Sequence, residues 1–323
     1  MKITKIIRTI SFLAVIALLL PCLIGCGGNG KKDDKLTVLC TVFPIYDWVC
    51  ELVGDAEGID VELLVTNGTD LHSYEPTAAD MAKILGCDMI VYVGGESDSW
   101  VKKALESNKR EDRAELSLIE YEEITKHTIS DEHLAEQSDD HDHSHEDGVI
   151  DEHIWLSPKN ALVACEYIKN ELCALNEENT EKFESSFAAY AEKLGKLDEK
   201  FEELQISEPI IFADRFPFIY LCEDYGISYY AAFDGCTTEA DADFETVIRL
   251  ASIADEYSTK YLFVTENSDR QLANAIADAR EADTSRILAL DSMQSVNSEK
   301  ISSGVTYISI MEKNLSVLKD AFS

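Results

Sequence analysis

Short apolar runs alternate with helical spacing in the first third of the chain. The runs at residues 36–43, 59–65 and 88–93 are rich in β-prone residues, whereas residues 44–53 and 76–85 repeat apolar side chains at intervals of three and four. Strands that alternate with helices in this way are typical of βαβ units, in which neighbouring strands run parallel. The pattern therefore predicts a parallel sheet covered by helices.

The last third of the chain repeats this pattern. Four strand-like runs alternate with amphipathic stretches, and a further helix is predicted near the C-terminus. In chain order the predicted strands are residues 209–213, 227–233, 260–264 and 286–290, and the predicted helices are residues 216–225, 243–257, 269–282 and 311–322. We therefore expect a second sheet of the same kind.

A long helical segment separates the two regions. Residues 158–204 are nearly all helix-forming, with Asn176 as a predicted break, and the part after the break has one apolar face. That face consists of Phe183, Phe187, Tyr190, Leu194, Leu197 and Phe201. The predicted fold class is α/β, with two βα-type lobes of parallel-rich sheets joined by a long connecting α-helix. A cleft between two such lobes is a favoured ligand site.

The N-terminal residues predict export. A basic start precedes an apolar run at residues 10–20 that is too short to span a membrane comfortably, as in a secretory signal. The following L-I-G-C sequence at residues 23–26 resembles a bacterial lipobox, which implies cleavage before Cys26 and a lipid on that residue. An ordinary signal peptide that contains a cysteine is the alternative. We expect an extracytoplasmic protein that is lipid-anchored to the cell membrane.

The predicted organisation has five parts. They are a signal peptide at residues 1–25, a flexible tether at 26–35, an N-terminal lobe at 36–175, a linking helix at 176–206 and a C-terminal lobe at 207–323. The tether is rich in Gly, Asn, Lys and Asp, a composition that favours a flexible chain. No stretch after the signal is long and apolar enough to predict a membrane-spanning helix.

Charge and cysteine content narrow the function classes. The formal net charge of −34 should repel nucleic acid, so we expect no nucleic-acid partner. Setting aside Cys22 and Cys26 leaves seven cysteines, an odd number, and no C-x-x-C spacing indicates a thiolate zinc site. Most of the seven have apolar neighbours, as small core residues do, and a Cys222–Cys236 disulfide is an open alternative.

All seven histidines lie between residues 72 and 153. Imidazole is a common nitrogen ligand of zinc, copper and nickel, so this clustering indicates metal binding. Four of the histidines lie in an acidic insertion at residues 130–147, which is predicted to be a loop because it has no residues that could form a core. They are His133, His141, His143 and His145. Alternating imidazoles and carboxylates predict a metal-collecting loop, and a solvated acidic loop with incidental histidines is the alternative.

His72 and His153 have more structured settings. His72 begins the sequence H-S-Y-E-P-T at residues 72–77, between a predicted strand and a predicted helix. His153 lies in D-E-H-I-W-L-S-P at residues 151–158, just ahead of a helix. Loops after the carboxyl ends of strands gather ligand-binding groups in α/β folds. Taken alone, each histidine could also be a packed core residue.

Together, these two elements resemble H-x-Y-E-P-T and D-x-H-x-W-L-x-P, the hallmarks of the zinc- and manganese-binding lipoproteins of ABC transporters, the cluster A-I substrate-binding proteins. The His- and acid-rich loop between them is typical of the zinc-uptake members, and the resemblance covers nearly the whole mature chain. It implies a receptor that captures Zn²⁺ in the cleft between lobes and delivers it to an ABC importer. The implied partners are the permease and, through the permease, the ATPase, and we expect a monomer.

The resemblance also implies a ligand set. His72 and His153 match two family ligands. Asp291, after the strand-like run at 286–290, matches the family's fourth ligand, which is an acid; a helix N-cap is its alternative role. Aligning the aromatic element that ends at Tyr220 puts Arg215 at the remaining ligand position, and arginine cannot bind a cation.

Two other acids are therefore candidates from the second lobe. Asp214 could substitute for the missing ligand by a one-residue shift, or could be a structural partner of Arg215. Glu266 is a reserve candidate because it follows a predicted strand. Two imidazoles and two carboxylates would balance the charge of Zn²⁺, with Mn²⁺ as the alternative ion; the histidine-rich loop favours zinc.

The sequence does not indicate an enzyme. It contains no H-E-x-x-H motif, no G-x-S-x-G motif and no glycine-rich phosphate loop. The remaining alternative is a lipoprotein of the same fold that has changed its ligand or become an adhesin, and Arg215 motivates it because a cation near the cleft would oppose metal binding.

Overall fold

The computed structural model describes residues 35–69, 71–125, 150–236, 242–281 and 285–322. Residues from Leu36 onward form one compact unit. The predicted signal, the anchor Cys26 and the histidines at positions 133, 141, 143 and 145 lie outside the described residues. In the part of the chain that is described, no helix has the length and apolar character needed to cross a membrane.

The first sheet has four parallel strands in the order β2-β1-β3-β4. The strands are β1 (Leu36–Cys40), β2 (Ile59–Leu63), β3 (Met89–Tyr92) and β4 (Ala114–Ser117), and the helices between them are α1 (Phe43–Val53), α2 (Ala78–Gly86) and α3 (Ser99–Ser107). The apolar pattern predicts three of these strands and two of these helices. It misses β4 because only the last two of its four residues, Leu116 and Ser117, are buried, so the strand has no apolar run to reveal it.

The second sheet repeats the topology of the first, with parallel strands in the order β6-β5-β7-β8. The strands are β5 (Ile210–Phe216), β6 (Tyr229–Asp234), β7 (Tyr261–Thr265) and β8 (Arg286–Leu290), and the helices are α6 (Ile219–Asp224), α7 (Phe244–Glu256), α8 (Gln271–Ala279) and α9 (Ser298–Ser302). In both sheets the first strand lies between the second and third, so the chain direction across the sheet reverses there. Loops at the carboxyl ends of strands beside such a reversal form a ligand crevice.

Two helices connect the sheets, α4 (Pro158–Leu175) and the longer α5 (Thr180–Glu202). Asn176 is the C-cap of α4, as the predicted break requires, and a 3₁₀ turn at Glu177–Asn179 precedes α5. The buried side chains of α5 are five of the six predicted ones, and Phe187 packs partly buried against the same core. The predicted α/β architecture with two parallel sheets and a long connecting helix is confirmed.

The last described helix, α10 (Tyr307–Phe322), contacts α1 beside the first sheet. The amide of Tyr307 donates to Asp47 Oδ2 at 2.9 Å, and its ring meets Trp48 edge-on with centroids 5.3 Å apart. The largest buried apolar cluster includes both rings together with Val38 of β1 and Phe212 of β5. The two lobes therefore share a core.

Candidate metal centre

His72 lies in the loop between β2 and α2, in a 3₁₀ turn at Leu71–Ser73. Leu71 is buried and fixes the turn, while Thr77 caps α2 in a capping box with Asp80. The hydroxyl of Tyr74 also donates to Asp80 Oδ2 at 2.8 Å. The H-S-Y-E-P-T sequence is thus a turn and a helix start, stabilised by its own side chains, that presents one half-buried imidazole.

His153 is fully buried and precedes a 3₁₀ turn at Ile154–Leu156. Asp151 Oδ1 accepts hydrogen bonds from the His153 amide at 2.7 Å and from its ring Nδ1 at 2.9 Å. An ionised carboxylate can only accept, so this contact places the imidazole proton on Nδ1 and makes Nε2 the acceptor atom of the ring, as in a histidine that binds metal through Nε2.

Aromatic side chains from later in the chain support the His153 segment. Tyr220 donates its hydroxyl to the Asp151 carbonyl at 2.8 Å, and Tyr307 donates to the Trp155 carbonyl at 2.8 Å. The indole of Trp155 donates to the carbonyl of Ser292 at 2.9 Å. Each of these bonds is buried, so together they fix the segment against α6, α10 and the loop after β8.

The structure brings the two histidines together, although they are 81 positions apart. Their Nε2 atoms are 3.2 Å apart, and Nδ1 of His72 is hydrogen-bonded to the hydroxyl of Ser97 in the loop after β3. Two nitrogens bound to one tetrahedral zinc at about 2.0–2.1 Å would be roughly 3.3 Å apart. The spacing of this imidazole pair, His72 and His153, therefore suits a shared metal ion.

Cys236 reaches the same place from the second sheet. Its Sγ atom and the ligating nitrogens of the imidazole pair all lie within 4.8 Å of one another. The Cys236 amide donates to Asp234 Oδ1 at 2.9 Å, and its thiol lies 3.7 Å from Asp151 Oδ2. Burial, and next the negative charge of Asp151, raise the pKa of the Cys236 thiol above its ordinary value.

Sequence reasoning missed this cysteine. The apolar neighbours predict core positions for most of the cysteines and leave a Cys222–Cys236 disulfide open, whereas all seven described cysteines are unpaired and Cys222 is buried in the shared core. The sequence signal that could identify Cys236 as a site residue is its position after a strand. It follows the predicted strand at 227–233 just as His72 follows the one at 59–65.

Asp214 and Arg215 lie near the end of β5, where the strand register shifts between Phe212 and Arg215. Asp214 Oδ2 accepts from the Thr265 hydroxyl at 2.7 Å, and Oδ1 accepts from the Arg215 amide at 2.9 Å. Both residues line a cleft of about 710 Å³ together with His72. Asp214 is therefore a structural link between β5 and β7 that also faces the cleft.

Glu266 and Asp291 follow β7 and β8. Glu266 accepts from the Ser292 amide at 2.8 Å and from the Ser295 hydroxyl at 2.8 Å. Asp291 Oδ1 accepts from the Met293 amide at 2.9 Å, whereas the next helix, α9, takes its N-cap from Asn297. Burial, and next the charge of Glu266, raise the pKa of Asp291.

The compact donor groups among the described residues are His72 with His153 and Cys236, and Asp151 with Asp234 and Cys236. The carboxylates of Asp214, Glu266 and Asp291, called here the second-half carboxylates, belong to neither group. Their roles as ligands stay predictions.

The chain is similar to proteins that are named for zinc binding and zinc uptake. The model of the ZnuA family, described as zinc-uptake complex component A periplasmic, matches residues 38–321. The zinc-binding lipoprotein AdcA of Streptococcus pneumoniae strain R6 is 32% identical over 301 residues, which are 92% of this chain and 58% of AdcA. The chain thus spans less than two thirds of that relative's length.

Two further matches, one to a second protein and one to the structure of a single AdcA domain, cover most of the matched chain. The high-affinity zinc uptake system protein ZnuA of Bacillus subtilis is 26% identical over 297 residues, 91% of this chain and 90% of that protein. The crystal structure of the Zn(II)-bound ZnuA-like domain of S. pneumoniae AdcA has a TM-score of 0.69 at 28% identity and covers 89% of this chain and 99% of that one.

Proposed function

This chain belongs to the zinc-uptake complex component A family, and we propose from that membership that it captures Zn²⁺ outside the cytoplasm and delivers it to an ABC importer. The observation that carries the proposal is the 3.2 Å separation between Nε2 of His72 and Nε2 of His153. Both rings are oriented through Nδ1, by Ser97 and by Asp151. Two imidazoles that are already oriented toward each other can bind one zinc ion with little rotation of their rings.

The imidazole pair alone does not neutralise a dication. We propose that a second-half carboxylate adds charge, with Asp291 first, Asp214 less favoured and Glu266 in reserve. Asp214 and Glu266 each accept several hydrogen bonds that metal binding would disturb. Affinity falls at acid pH because protons compete with zinc for the imidazole nitrogens.

The location and partners follow from the N-terminal sequence and the family. We propose that a lipid on Cys26 holds the protein at the outer face of the cell membrane, that residues 26–35 are its tether, and that it acts as a monomer. The permease receives the metal, and the ATPase acts through the permease. The lobes at residues 36–175 and 207–323, with the linking helix at 176–206, are the proposed domains.

The acidic insertion has a separate role in this proposal. Its four histidines form a weak, multidentate collector that raises the local zinc concentration near the cleft. The protein is a receptor and not an enzyme, because the sequence offers no general base in a metallohydrolase motif and the related proteins are named for zinc binding or uptake.

Calorimetric titration of metal-free protein tests the function. We expect about one tight zinc site and several weak ones. The variant His72→Ala/His153→Ala should lose the tight site, with affinity lower by at least about a hundredfold, which exceeds the tenfold to hundredfold typical for loss of an outer-shell partner. The matched control, His141→Ala/His143→Ala, removes two imidazoles from the insertion and should reduce only weak binding. Tight binding that persists without the imidazole pair would refute the assignment.

Competition with manganese decides the cargo. Zinc should displace Mn²⁺ from the tight site, since imidazole nitrogens suit zinc better than they suit manganese. A site that held Mn²⁺ against equimolar zinc would favour the manganese alternative. A wild-type protein that bound neither ion tightly would favour an adhesin or a changed ligand.

A further inference from the structure

We propose that the sulfur of Cys236 is a third protein ligand of the metal held by His72 and His153, which makes the centre a two-imidazole, one-thiolate site that selects thiophilic dications such as Zn²⁺ over Mn²⁺. The inference rests on the proposed function, because it names the donor set of the same site.

The fold places this cysteine where a ligand is expected. β2 and β6 occupy the same position in their sheets, each beside the central first strand. The loop after β2 carries His72, and Cys236 lies in the turn that follows β6. Because the carboxyl ends of parallel strands lie at one edge of each sheet, the two loops reach the same cleft from opposite lobes.

The distances suit coordination. A tetrahedral zinc with Zn–N of about 2.0–2.1 Å and Zn–S of about 2.3 Å separates sulfur from nitrogen by roughly 3.5 Å. The three ligating atoms of His72, His153 and Cys236 already lie within 4.8 Å of one another. A small rotation of side chains closes the remaining gap.

The neighbours of Cys236 suit a ligand more than a core residue. Its side chain is only partly buried, unlike those of Cys40, Cys165 and Cys222. Its thiol faces Asp151 Oδ2, while the other oxygen of Asp151 holds the His153 ring. One carboxylate thus contacts two of the three donors, which is the arrangement of an outer-shell partner in a metal site.

Among the described residues, a thiolate is also the one soft ligand that the second lobe brings to this site, where its other candidate ligands are carboxylates. That lobe has no histidine, and Arg215 at the cleft cannot bind a cation. When the metal binds, the S–H bond of Cys236 breaks, a metal–sulfur bond forms and one proton leaves to the buffer. The sulfur then contributes one negative charge, and a fourth position is left for a carboxylate or water.

The chemistry of the donor sets the selectivity. Thiolate is a soft ligand that favours zinc, cobalt and cadmium, whereas manganese favours oxygen donors. A cysteine at this place therefore lowers manganese affinity relative to zinc affinity, which a carboxylate in the same place would not do.

Cobalt is the probe, because a thiolate bound to Co²⁺ gives a near-ultraviolet charge-transfer band that imidazole and carboxylate ligands do not give. Reduced, metal-free, full-length protein is titrated with Co²⁺ and separately with Zn²⁺. We expect the band at one equivalent in the wild type and its loss in Cys236→Ser, with zinc affinity lowered by about tenfold or more. The control Cys173→Ser, which changes a half-buried cysteine on α4, should keep both the band and the affinity.

A second variant separates coordination from folding. Cys236→Asp should bind zinc without the band and should reduce the preference for zinc over manganese by about tenfold or more, because an oxygen donor replaces sulfur.

The outcomes are distinct. A band that persists in Cys236→Ser, or tight cobalt binding through the imidazole pair with no band in the wild type, overturns the thiolate ligand and leaves the proposed function standing. An absence of any tight cobalt or zinc site in the wild type overturns both.

Discussion

The two sheets have the same strand order, but the loops that follow their strands carry different candidate ligands. Each has its first strand between the second and third, and all strands run parallel. The first half of the molecule, residues 36–175, contains all seven histidines and presents the imidazole pair; the second half, residues 207–322, contains none and presents acids, Arg215 and Cys236. The shared topology thus determines where ligands can converge, and the loop sequences determine which atoms converge.

The halves also differ in how their donors are held. Contacts at Nδ1 orient both histidines, so that their Nε2 atoms face each other at 3.2 Å. The carboxylates of Asp214 and Glu266, by contrast, use their oxygens to accept bonds from Thr265, Ser292 and Ser295. The first half is therefore organised for metal before it binds, whereas most second-half carboxylates must give up contacts first.

The largest effect on zinc affinity should come from replacing the second-half carboxylate that can bind metal without giving up a hydrogen bond. Asp291 accepts from the Met293 amide through Oδ1, so its other oxygen can bind metal while that contact persists. We expect Asp291→Asn to weaken zinc binding on the order of a hundredfold and Asp214→Asn by less than about tenfold, measured by competition with a chelating dye. The reverse order would identify Asp214 as the ligand and would contradict the contrast drawn here.

The next effect concerns the orientation of His153. Asp151→Asn keeps the side-chain shape but removes the charge that stabilises the Nδ1 proton, so zinc affinity should fall by about tenfold to a hundredfold. Asp234→Asn is the matched control, because it removes one negative charge from the same cluster, and Asp234 Oδ1 accepts from the Cys236 amide rather than from an imidazole nitrogen. Equal losses in the two variants would show that total negative charge, and not orientation, matters.

A buried carboxylate in the first half, Asp98, makes the stability of the fold depend on pH. Burial, and next the charge of Glu152, raise the pKa of Asp98 to about 8, although its Oδ2 accepts from the Val93 amide at 3.0 Å. Aspartate in the unfolded chain ionises near about pH 3.9, so between about pH 4 and pH 8 the folded state holds more protons than the unfolded state, and stability falls as pH rises.

Asp98→Asn should remove this dependence. We expect the metal-free variant to have a Tm at least about 2 °C above that of the wild type at pH 8 and a smaller difference at pH 5, measured by thermal denaturation. Asp112→Asn is the control, since its exposed carboxylate has a pKa lowered by Arg110 and its loss should give no such gain. If the change of Tm with pH were the same in Asp98→Asn as in the wild type, a group other than Asp98 would cause the pH dependence of stability.

The smallest effect should follow the loss of the hydroxyl that orients His72. Ser97→Ala removes one hydrogen bond at Nδ1, which is worth about 1 kcal/mol and corresponds to a few-fold loss of zinc affinity. Ser107→Ala removes a hydroxyl that donates to the Ala104 carbonyl on α3, and should leave zinc affinity unchanged. If Ser97→Ala lowered zinc affinity more than Asp151→Asn does, Ser97 would be the more important of the two orienting residues.

The sequence predicts the architecture well because the spacing of apolar residues indicates which positions of a helix or strand are buried. The face of α5 and the strands other than β4 follow from it, and the histidine motifs are recognisable because each combines a rare residue with turn and helix-start signals. The second-half ligands are harder, since 62 aspartates and glutamates make any one acid unremarkable. Cys236 lacks a neighbouring cysteine, so only the folded loop shows that its sulfur faces the imidazoles.

The hydrogen bond from Tyr307 to the Trp155 carbonyl joins residues 152 positions apart. During synthesis, the residues on both sides of the cleft emerge well before α10 does, so the support beneath His153 is completed only when α10 has been made. A fragment that ends before Tyr307 would contain every proposed ligand and still lack part of the frame that holds His153, so the orientation of this first-half ligand depends on a helix formed much later in the chain.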